Sequence, residues 1–124
     1  RYALDAGRHP AGVPREVADA ANNDLLLETL RGQSERHAHF TCLLVAVRHA
    51  EDPEPLIAEG HWAGQLLEAP RGHEGFGYDP LLWLPDHACS AADMSAEQKN
   101  AISHRAIACR RMRELMAVHW GLRA

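Results

Sequence analysis

Apolar residues recur along the chain at the spacings of helices and strands, and the first helical pattern follows an aperiodic stretch. Residues 1–13 contain glycine and proline without an apolar period, which predicts a loop. Val17, Ala21 and Leu25 then recur at helical spacing and predict one face of an amphipathic helix. Gly32 has the position of a C-terminal cap and predicts the end of that helix.

A second helical pattern occupies residues 103–120. Its apolar side chains recur every three to four residues and predict a buried face made by Ile102, Ala106, Cys109, Met112, Met116 and Trp120. Residues 90–93 and 95–98 both have the spacing of an N-terminal capping box. The second box predicts the start of a short helix that carries Lys99.

Two segments in the middle of the chain have the composition of strands. Residues 39–47 are almost continuously apolar, which predicts a strand covered on both faces. Residues 55–70 contain a second strand, in which Gly60 and Gly64 predict a bulge or a bend. Because a proline-containing turn at residues 50–55 connects the two segments, we expect an antiparallel hairpin.

Electric charge is distributed unevenly along the 124 residues, whose net charge is −4. From Lys99 onward six basic residues and one acidic residue give +5, so the remainder carries −9. A basic segment on an acidic body could attract an anionic ligand, and a solvated arginine face on a surface helix explains the same charge equally well. Nucleic-acid binding by this helix is the least favoured interpretation. Since no apolar run approaches the roughly 20 residues of a membrane span, we expect no membrane partner either.

Cysteines and histidines do not form a recognisable metal or disulfide pattern. Cys42, Cys89 and Cys109 form no Cys-x-x-Cys pair, which predicts reduced, buried thiols in a cytosolic protein. His37 and His39 would share one face of a strand, but no cysteine or glutamate follows at zinc spacing. The sequence therefore predicts no metal site built from these histidines.

The segment Glu-Gly-Phe-Gly-Tyr-Asp-Pro at residues 74–80 is a candidate ligand loop. Gly75 and Gly77 permit backbone angles that other residues avoid and let another group approach closely. Phe76, held between them, could stack on a flat ring, which contributes about 0.5–1.5 kcal/mol beyond area burial. A tight turn whose aromatic side chains pack inward is the alternative.

The segment Glu-Gln-Lys-Asn-Ala-Ile-Ser-His-Arg at residues 97–105 is a second candidate. Lys99, His104 and Arg105 place hydrogen-bond donors and positive charge beside a predicted helix N-terminus. Such a cluster suits phosphates or carbonyl oxygens. The alternative is that Lys99 is solvated and His104 caps its own helix.

The two segments in this order, GFGYDP and then EQKNAISHR, resemble the inosine triphosphate pyrophosphatase family. Members of this family hydrolyse non-standard purine nucleoside triphosphates. RYA, ANNDLLLETL, VAVRHAEDPEPLIAEG and DPLLWLPD are similar to further segments of the family, so the resemblance covers nearly all of the chain. It implies an α/β fold with a mixed β-sheet flanked by helices, in which residues 1–124 form one partial domain of a two-lobed fold.

The resemblance also implies a nucleotide-binding site. Its first part is formed by Phe76, Gly77, Tyr78 and Asp79, with Phe76 stacked on the purine. Its second part is formed by Lys99, His104 and Arg105. Donors from a histidine and an arginine match the O6 acceptor of hypoxanthine or xanthine, whereas adenine carries an amino group there. Such a mismatch can discriminate by about 10⁴ or more.

The family's N-terminal third carries a phosphate-binding S-x-N-x-x-K motif, a catalytic aspartate and acidic magnesium ligands, and none of these occurs in the sequence. The chain is therefore expected to correspond to the C-terminal two-thirds of the enzyme, to hold no catalytic or metal-binding residue, and to be inactive alone. Asp79 cannot replace the missing groups, since water activation beside a triphosphate needs a metal as well as a base. The resemblance implies a cytoplasmic, Mg²⁺-dependent homodimer that cleaves ITP, dITP or XTP to the monophosphate and pyrophosphate. A non-catalytic fragment that binds purine nucleotide or only supports assembly is the alternative.

Overall fold

The structure is a computed structural model that describes residues 1–123. Within this range the α-helices are α1 (Tyr2–Asp5), α2 (Arg15–Thr29), α3 (Ala96–Ile102) and α4 (His104–Trp120). The strands are β1 (His37–Ala46), β2 (Leu56–Leu66), β3 (Leu82–Leu84) and β4 (Cys89–Ser90). Short 3₁₀ turns lie at Asp79–Leu81, Pro85–His87 and Ala91–Asp93.

The four strands form one sheet in the order β1-β2-β3-β4. β2 is antiparallel to β3, with Gln65 opposite Trp83, and β3 is antiparallel to β4. β1 and β2 also run in opposite directions, because the backbone of Arg36 bonds to that of Leu66 while the side chain of Thr41 bonds to that of His61. The predicted hairpin and the α/β architecture are thus confirmed, and the pairings among the described strands are antiparallel.

The N-terminal residues differ from the predicted loop. Residues 2–5 form α1, and the backbone N–H of Ala3 donates to the side-chain oxygen of Asn22 at 2.7 Å. Ala3 is completely buried. A four-residue helix is too short to show an apolar period, so its contact with α2, rather than any local pattern, explains it.

Helix α2 confirms the predicted helix, although its buried face differs in part. Pro14 occupies the N-cap position, and Gly32 follows the helix end with a φ of +82°. Leu25 is buried as predicted. Val17, which was also predicted to be buried, is 47% exposed, whereas the polar residue Asn23 is buried. The apolar pattern could not indicate a buried asparagine.

The predicted burial of β1 on both faces is wrong within the described residues. Exposure alternates along the strand, and Leu43 and Val45 are 56% and 58% exposed. A continuous apolar run specifies side chains suited to burial, but the neighbouring elements decide which face is covered.

The two glycines of β2 have a different role from the predicted bulge, since exposure alternates along the strand without interruption. A Cβ atom added at Gly60 would collide with the carbonyl oxygen of His104 and lie 2.8 Å from the backbone nitrogen of Ala108. At Gly64 the obstacle is the carbonyl oxygen of Trp83. Both glycines therefore allow close approach of another backbone.

Two compact units make up the chain. The first unit comprises Arg1–Ala38 and Gly64–Ala96, and the second comprises His39–Ala63 with the described residues from Glu97 onward. Leu81, Leu82 and Ser90 are the largest fully buried side chains, and all three belong to the first unit.

The core of the second unit is formed by β2 and α4. Leu56, Ala58 and Met112 are its buried residues, and partly buried apolar side chains pack around them, namely Leu44, Ala46, Leu115, Met116 and Trp120. Ala108 is also buried, whereas Cys109 is exposed. The predicted buried face of α4 is therefore wrong at Cys109. Strand β2 approaches the helix closely at Ala108, so Ala108 rather than Cys109 faces the core. All three cysteines are free thiols, as predicted, but the prediction that they are buried is wrong, because two are partly exposed and Cys109 is exposed.

Candidate functional site

The loop that contains Phe76 and Gly77 has positive φ angles at two of its glycines, as the sequence predicts. Gly75 has a φ of +86° and Gly77 a φ of +59°, in the left-handed region that side chains with a Cβ atom disfavour. No atom lies within 4 Å of a Cβ built on Gly77. Glycine is needed there for its backbone angle and not for space.

Helix α2 holds this loop through both backbone polar groups of Gly77. The N–H of Gly77 donates to Oδ2 of Asp19 at 2.9 Å, and Nδ2 of Asn23 donates to the carbonyl oxygen of Gly77 at 3.2 Å. Asp19 and Asn23 are one helical turn apart and therefore lie on one face of α2. The loop is thus tied to a regular element rather than held by its own turn alone.

The ring of Phe76 is 45% exposed, so the inward-packed alternative does not describe it. The guanidinium carbon of Arg15 lies 4.4 Å from the ring centroid, within the range of a cation–π contact. Arg15 also lies 3.8 Å from Asp19. Phe76 therefore combines an exposed aromatic surface with a defined position.

Asp79 is 6% exposed and shapes the loop from within. Its Oδ2 accepts a hydrogen bond from the N–H of Phe76 at 3.0 Å, and its own N–H donates to the carbonyl oxygen of Phe76 at 3.2 Å. Tyr78 is partly buried, and burial raises its pKa above the ordinary value, with the nearby Tyr2 and Asp19 adding to the shift. The first-unit residues of the predicted site thus form one continuous, hydrogen-bonded turn.

Lys99, His104 and Arg105 belong to the second unit. Lys99 lies in α3, as predicted, and its carbonyl oxygen accepts from the N–H of Ser103 at 2.8 Å. Ser103 is the N-cap of α4, and its Oγ accepts from the N–H of Ala106 at 3.2 Å. Ser103, not His104, therefore caps the helix.

The imidazole of His104 packs against two aromatic rings that also contact each other. Its centroid lies 5.0 Å from that of Phe40 and 6.1 Å from that of Trp62, whose ring is nearly parallel to it. Sequence reasoning did not identify Phe40 or Trp62, which lie about 40 to 64 residues away along the chain. These two side chains fix the orientation of the imidazole.

The N-terminus of α4 lacks acidic side chains in its first turn. Two basic residues, His104 and Arg105, begin the helix. The positive charge of Arg105 adds to the positive end of the helix dipole, so this arrangement favours an electron-rich group nearby.

Metal ligands do not gather in the described residues. Within residues 1–123 no group of three or more His, Cys, Asp or Glu side chains lies close enough together to hold a metal ion. His37 and His39 do share the exposed face of β1, as the sequence predicts. Over the same range no helix is long and apolar enough to cross a membrane.

Comparison with known proteins agrees with this fold and these segments. Residues 8–115 match the model of the Ham1 family, so the chain belongs to that family. The matched range contains both the glycine-rich loop and the start of α4. The resemblance found in the sequence is thereby confirmed.

Relatives of known sequence carry a consistent description. The chain is 58% identical over 106 residues to a protein of Methylibium petroleiphilum described as a dITP/XTP pyrophosphatase, covering 86% of this chain and 51% of the relative. A protein of Burkholderia pseudomallei with the same description is 53% identical over 108 residues, covering 87% of this chain and 49% of the relative. The chain thus spans about half, rather than two-thirds, of the length of these relatives.

Solved structures show the same fold. A HAM1 protein from Coxiella burnetii superposes with a TM-score of 0.76 at 39% identity, covering 80% of this chain and 51% of that one. The Ham1 protein of Staphylococcus aureus gives a TM-score of 0.74 at 32% identity, over 79% of this chain and 50% of that one. The elements described above are therefore those of a Ham1 fold.

Proposed function

We propose that the protein is a nucleoside triphosphate pyrophosphatase that acts on ITP, dITP and XTP. In this reaction water forms a bond to the α-phosphorus, the bond to the α–β bridging oxygen breaks, and the products are the nucleoside monophosphate and pyrophosphate. The observation that carries the proposal is the match to relatives described as dITP/XTP pyrophosphatases, which extends over 86% and 87% of this chain.

Base binding is assigned to the loop at residues 76–79. The exposed ring of Phe76 would stack on the purine, and the fixed Gly77 backbone would hold that ring in place. Tyr78 and Asp79 would shape the same surface, because the Asp79 carboxylate closes the turn on the Phe76 backbone. The partial exposure of Phe76 supports this role over a purely structural one.

Selection of the base is assigned to His104 and Arg105. Their N–H donors would meet the O6 acceptor of hypoxanthine or xanthine, and Lys99 would supply positive charge toward the phosphates. The packing of His104 against Phe40 and Trp62 supports this role, since an oriented donor discriminates better than a mobile one. Adenine would present a donor to these donors and leave buried groups unpaired.

Magnesium dependence is part of the proposal, but the residues described do not fit a magnesium site by themselves. Within residues 1–123 the necessary cluster of oxygen ligands is not formed. We therefore assign metal binding and water activation to the part of the family's fold that this chain does not span, and derive no step through the ion. The 124 residues alone are expected to release no pyrophosphate.

The proposal extends to the protein's state in the cell. We expect a cytoplasmic homodimer, as the family resemblance implies, that binds neither nucleic acid nor membrane. Sedimentation of the protein expressed from its natural start codon tests the dimer, and a monomer at micromolar concentration would contradict it.

The alternative is a non-catalytic member that binds purine nucleotide or only supports assembly. The two functions are separated by measuring pyrophosphate release from ITP with Mg²⁺, in the protein expressed from its natural start codon. Release from ITP but little from ATP supports the enzyme. ITP binding without release, in a folded protein, supports the alternative.

A further inference from the structure

Three polar side chains of α2 face the Phe76–Gly77 loop at a regular spacing. Arg15, Asp19 and Asn23 follow one another at intervals of four residues and so share one face of the helix. Arg15 lies 4.4 Å from the Phe76 ring centroid, and the other two bond to opposite backbone atoms of Gly77. We call these three residues the α2 positioning face.

We propose that the α2 positioning face fixes the orientation of the Phe76 ring for base stacking. Its members are positioning residues, since they act through Phe76 and Gly77 and not on the nucleotide. The inference rests on the proposed function insofar as it assigns the purine to Phe76. No role for these three residues followed from the sequence motifs.

The conformation of Gly77 explains why such support is needed. Glycine at a φ of +59° has many alternative backbone conformations of similar energy, and a free loop would populate several of them. Hydrogen bonds to both its N–H and its carbonyl oxygen restrict it to one. The direction of the neighbouring Phe76 is restricted with it.

Burial of Asn23 indicates selection for position rather than for stability alone. Asn23 is 8% exposed, and its Oδ1 is buried without a hydrogen-bond partner among the described residues. A buried unpaired oxygen is destabilising by about 1–3 kcal/mol, and an apolar side chain of similar size would avoid this cost. The amide group of Asn23 supplies the one feature that an apolar residue lacks, the donor to Gly77.

Asp19 offers the sharpest test, because a matched control lies on the same helix. Asp19→Ala removes the acceptor for the Gly77 N–H, whereas Asp19→Asn keeps an oxygen acceptor in the same place. Asp24 is exposed, and Asp24→Ala makes the same change of charge in the same helix. All variants are made in the protein expressed from its natural start codon.

Steady-state kinetics on ITP give the first readout. We expect Asp19→Ala to raise KM about tenfold, because the variant loses one charge-assisted hydrogen bond, and to change kcat less than about threefold. Asp19→Asn should stay within about threefold of wild type, and Asp24→Ala should equal it. If wild type is active and Asp19→Ala behaves as Asp24→Ala does, the inference is overturned while the proposed function stands.

Amide hydrogen exchange of Gly77, measured by NMR, gives a readout that does not depend on activity. Exchange should accelerate about tenfold or more in Asp19→Ala and remain slow in Asp19→Asn. If ITP is not hydrolysed by wild type, the proposed function fails, and unchanged exchange at Gly77 would then overturn the positioning face as well. Should Asp19→Ala fail to fold, Asn23→Asp supplies the same comparison, because it replaces the donor to Gly77 with an acceptor.

Discussion

Replacement of Gly60 by alanine tests the packing that places the start of α4. The added Cβ would collide with the carbonyl oxygen of His104 and lie 2.8 Å from the nitrogen of Ala108 and 3.0 Å from the carbonyl carbon of His104. All of these are backbone atoms, so no side chain can rotate away. Strand β2 and helix α4 would have to separate, and the core residues Leu56 and Met112 between them would lose contact.

Overpacking of this kind costs about 1–3 kcal/mol, and the backbone obstacle places Gly60→Ala near the upper end, at about 3 kcal/mol. With a urea dependence of about 2 kcal/mol per molar, the unfolding midpoint should fall by roughly 1.5 M. Trp62 lies in β2 and is 7% exposed, so a change in the tryptophan fluorescence of the protein reports the transition. Because His104 moves with the helix, KM for ITP should rise as well.

Ala63→Ser is the matched control for this experiment, since it adds one atom on the exposed face of the same strand. Its midpoint should lie within about 0.3 M of wild type. A Gly60→Ala protein that unfolds at the same urea concentration as this control would refute the close approach of β2 and α4.

Three further predictions follow from single contacts. Met112→Ala should lower the free energy of unfolding by about 2–5 kcal/mol, because Met112 is buried, and Cys109→Ala should lower it by less than about 0.5 kcal/mol, because Cys109 is exposed. Equal losses of the two variants in urea unfolding would contradict the burial of Met112 and the exposure of Cys109 on α4. Gly77→Ala should cost about 1 kcal/mol through its positive φ alone, and Gly77→Asn less, so an alanine variant as stable as wild type would exclude the left-handed conformation. A hydrogen bond from the Arg48 side chain, joined by backbone N–H groups, holds the pKa of Asp52 well below its ordinary value. The free energy of unfolding of wild type should therefore exceed that of Asp52→Asn by its largest amount above about pH 4, and this excess should shrink as the pH falls further. An excess that is the same at pH 7 and pH 2 would contradict the pairing of Asp52 with Arg48.

Local sequence patterns predicted those elements whose causes are local. The period of α2, the capping box at residues 90–93 and the helical period of residues 103–120 depend on residues within a few positions of one another, and all three elements occur in the structure. Helix α3 also begins directly after Ser95, where the second capping-box pattern predicted a helix. The individual roles of the predicted site residues are not tested by the fold and stay proposals.

Features that depend on distant parts of the chain were not predictable. Gly77 is bonded to residues 54 and 58 positions away, and His104 packs against residues of two strands. Exposure of one face of β1 and the inward turn of Ala108 likewise follow from tertiary contacts. A motif can show which residues meet a ligand, but the side chains that hold them in place are found only in the folded chain.

Pyrophosphate release is the measurement that tests the central claim most directly. The protein expressed from its natural start codon is incubated with Mg²⁺ and either ITP or ATP, and pyrophosphate is quantified. The account predicts release from ITP with a kcat/KM at least about 10⁴-fold above that for ATP, since the donors of His104 and Arg105 match only a 6-keto purine. A folded protein that releases pyrophosphate from neither nucleotide, or from both equally, would contradict it.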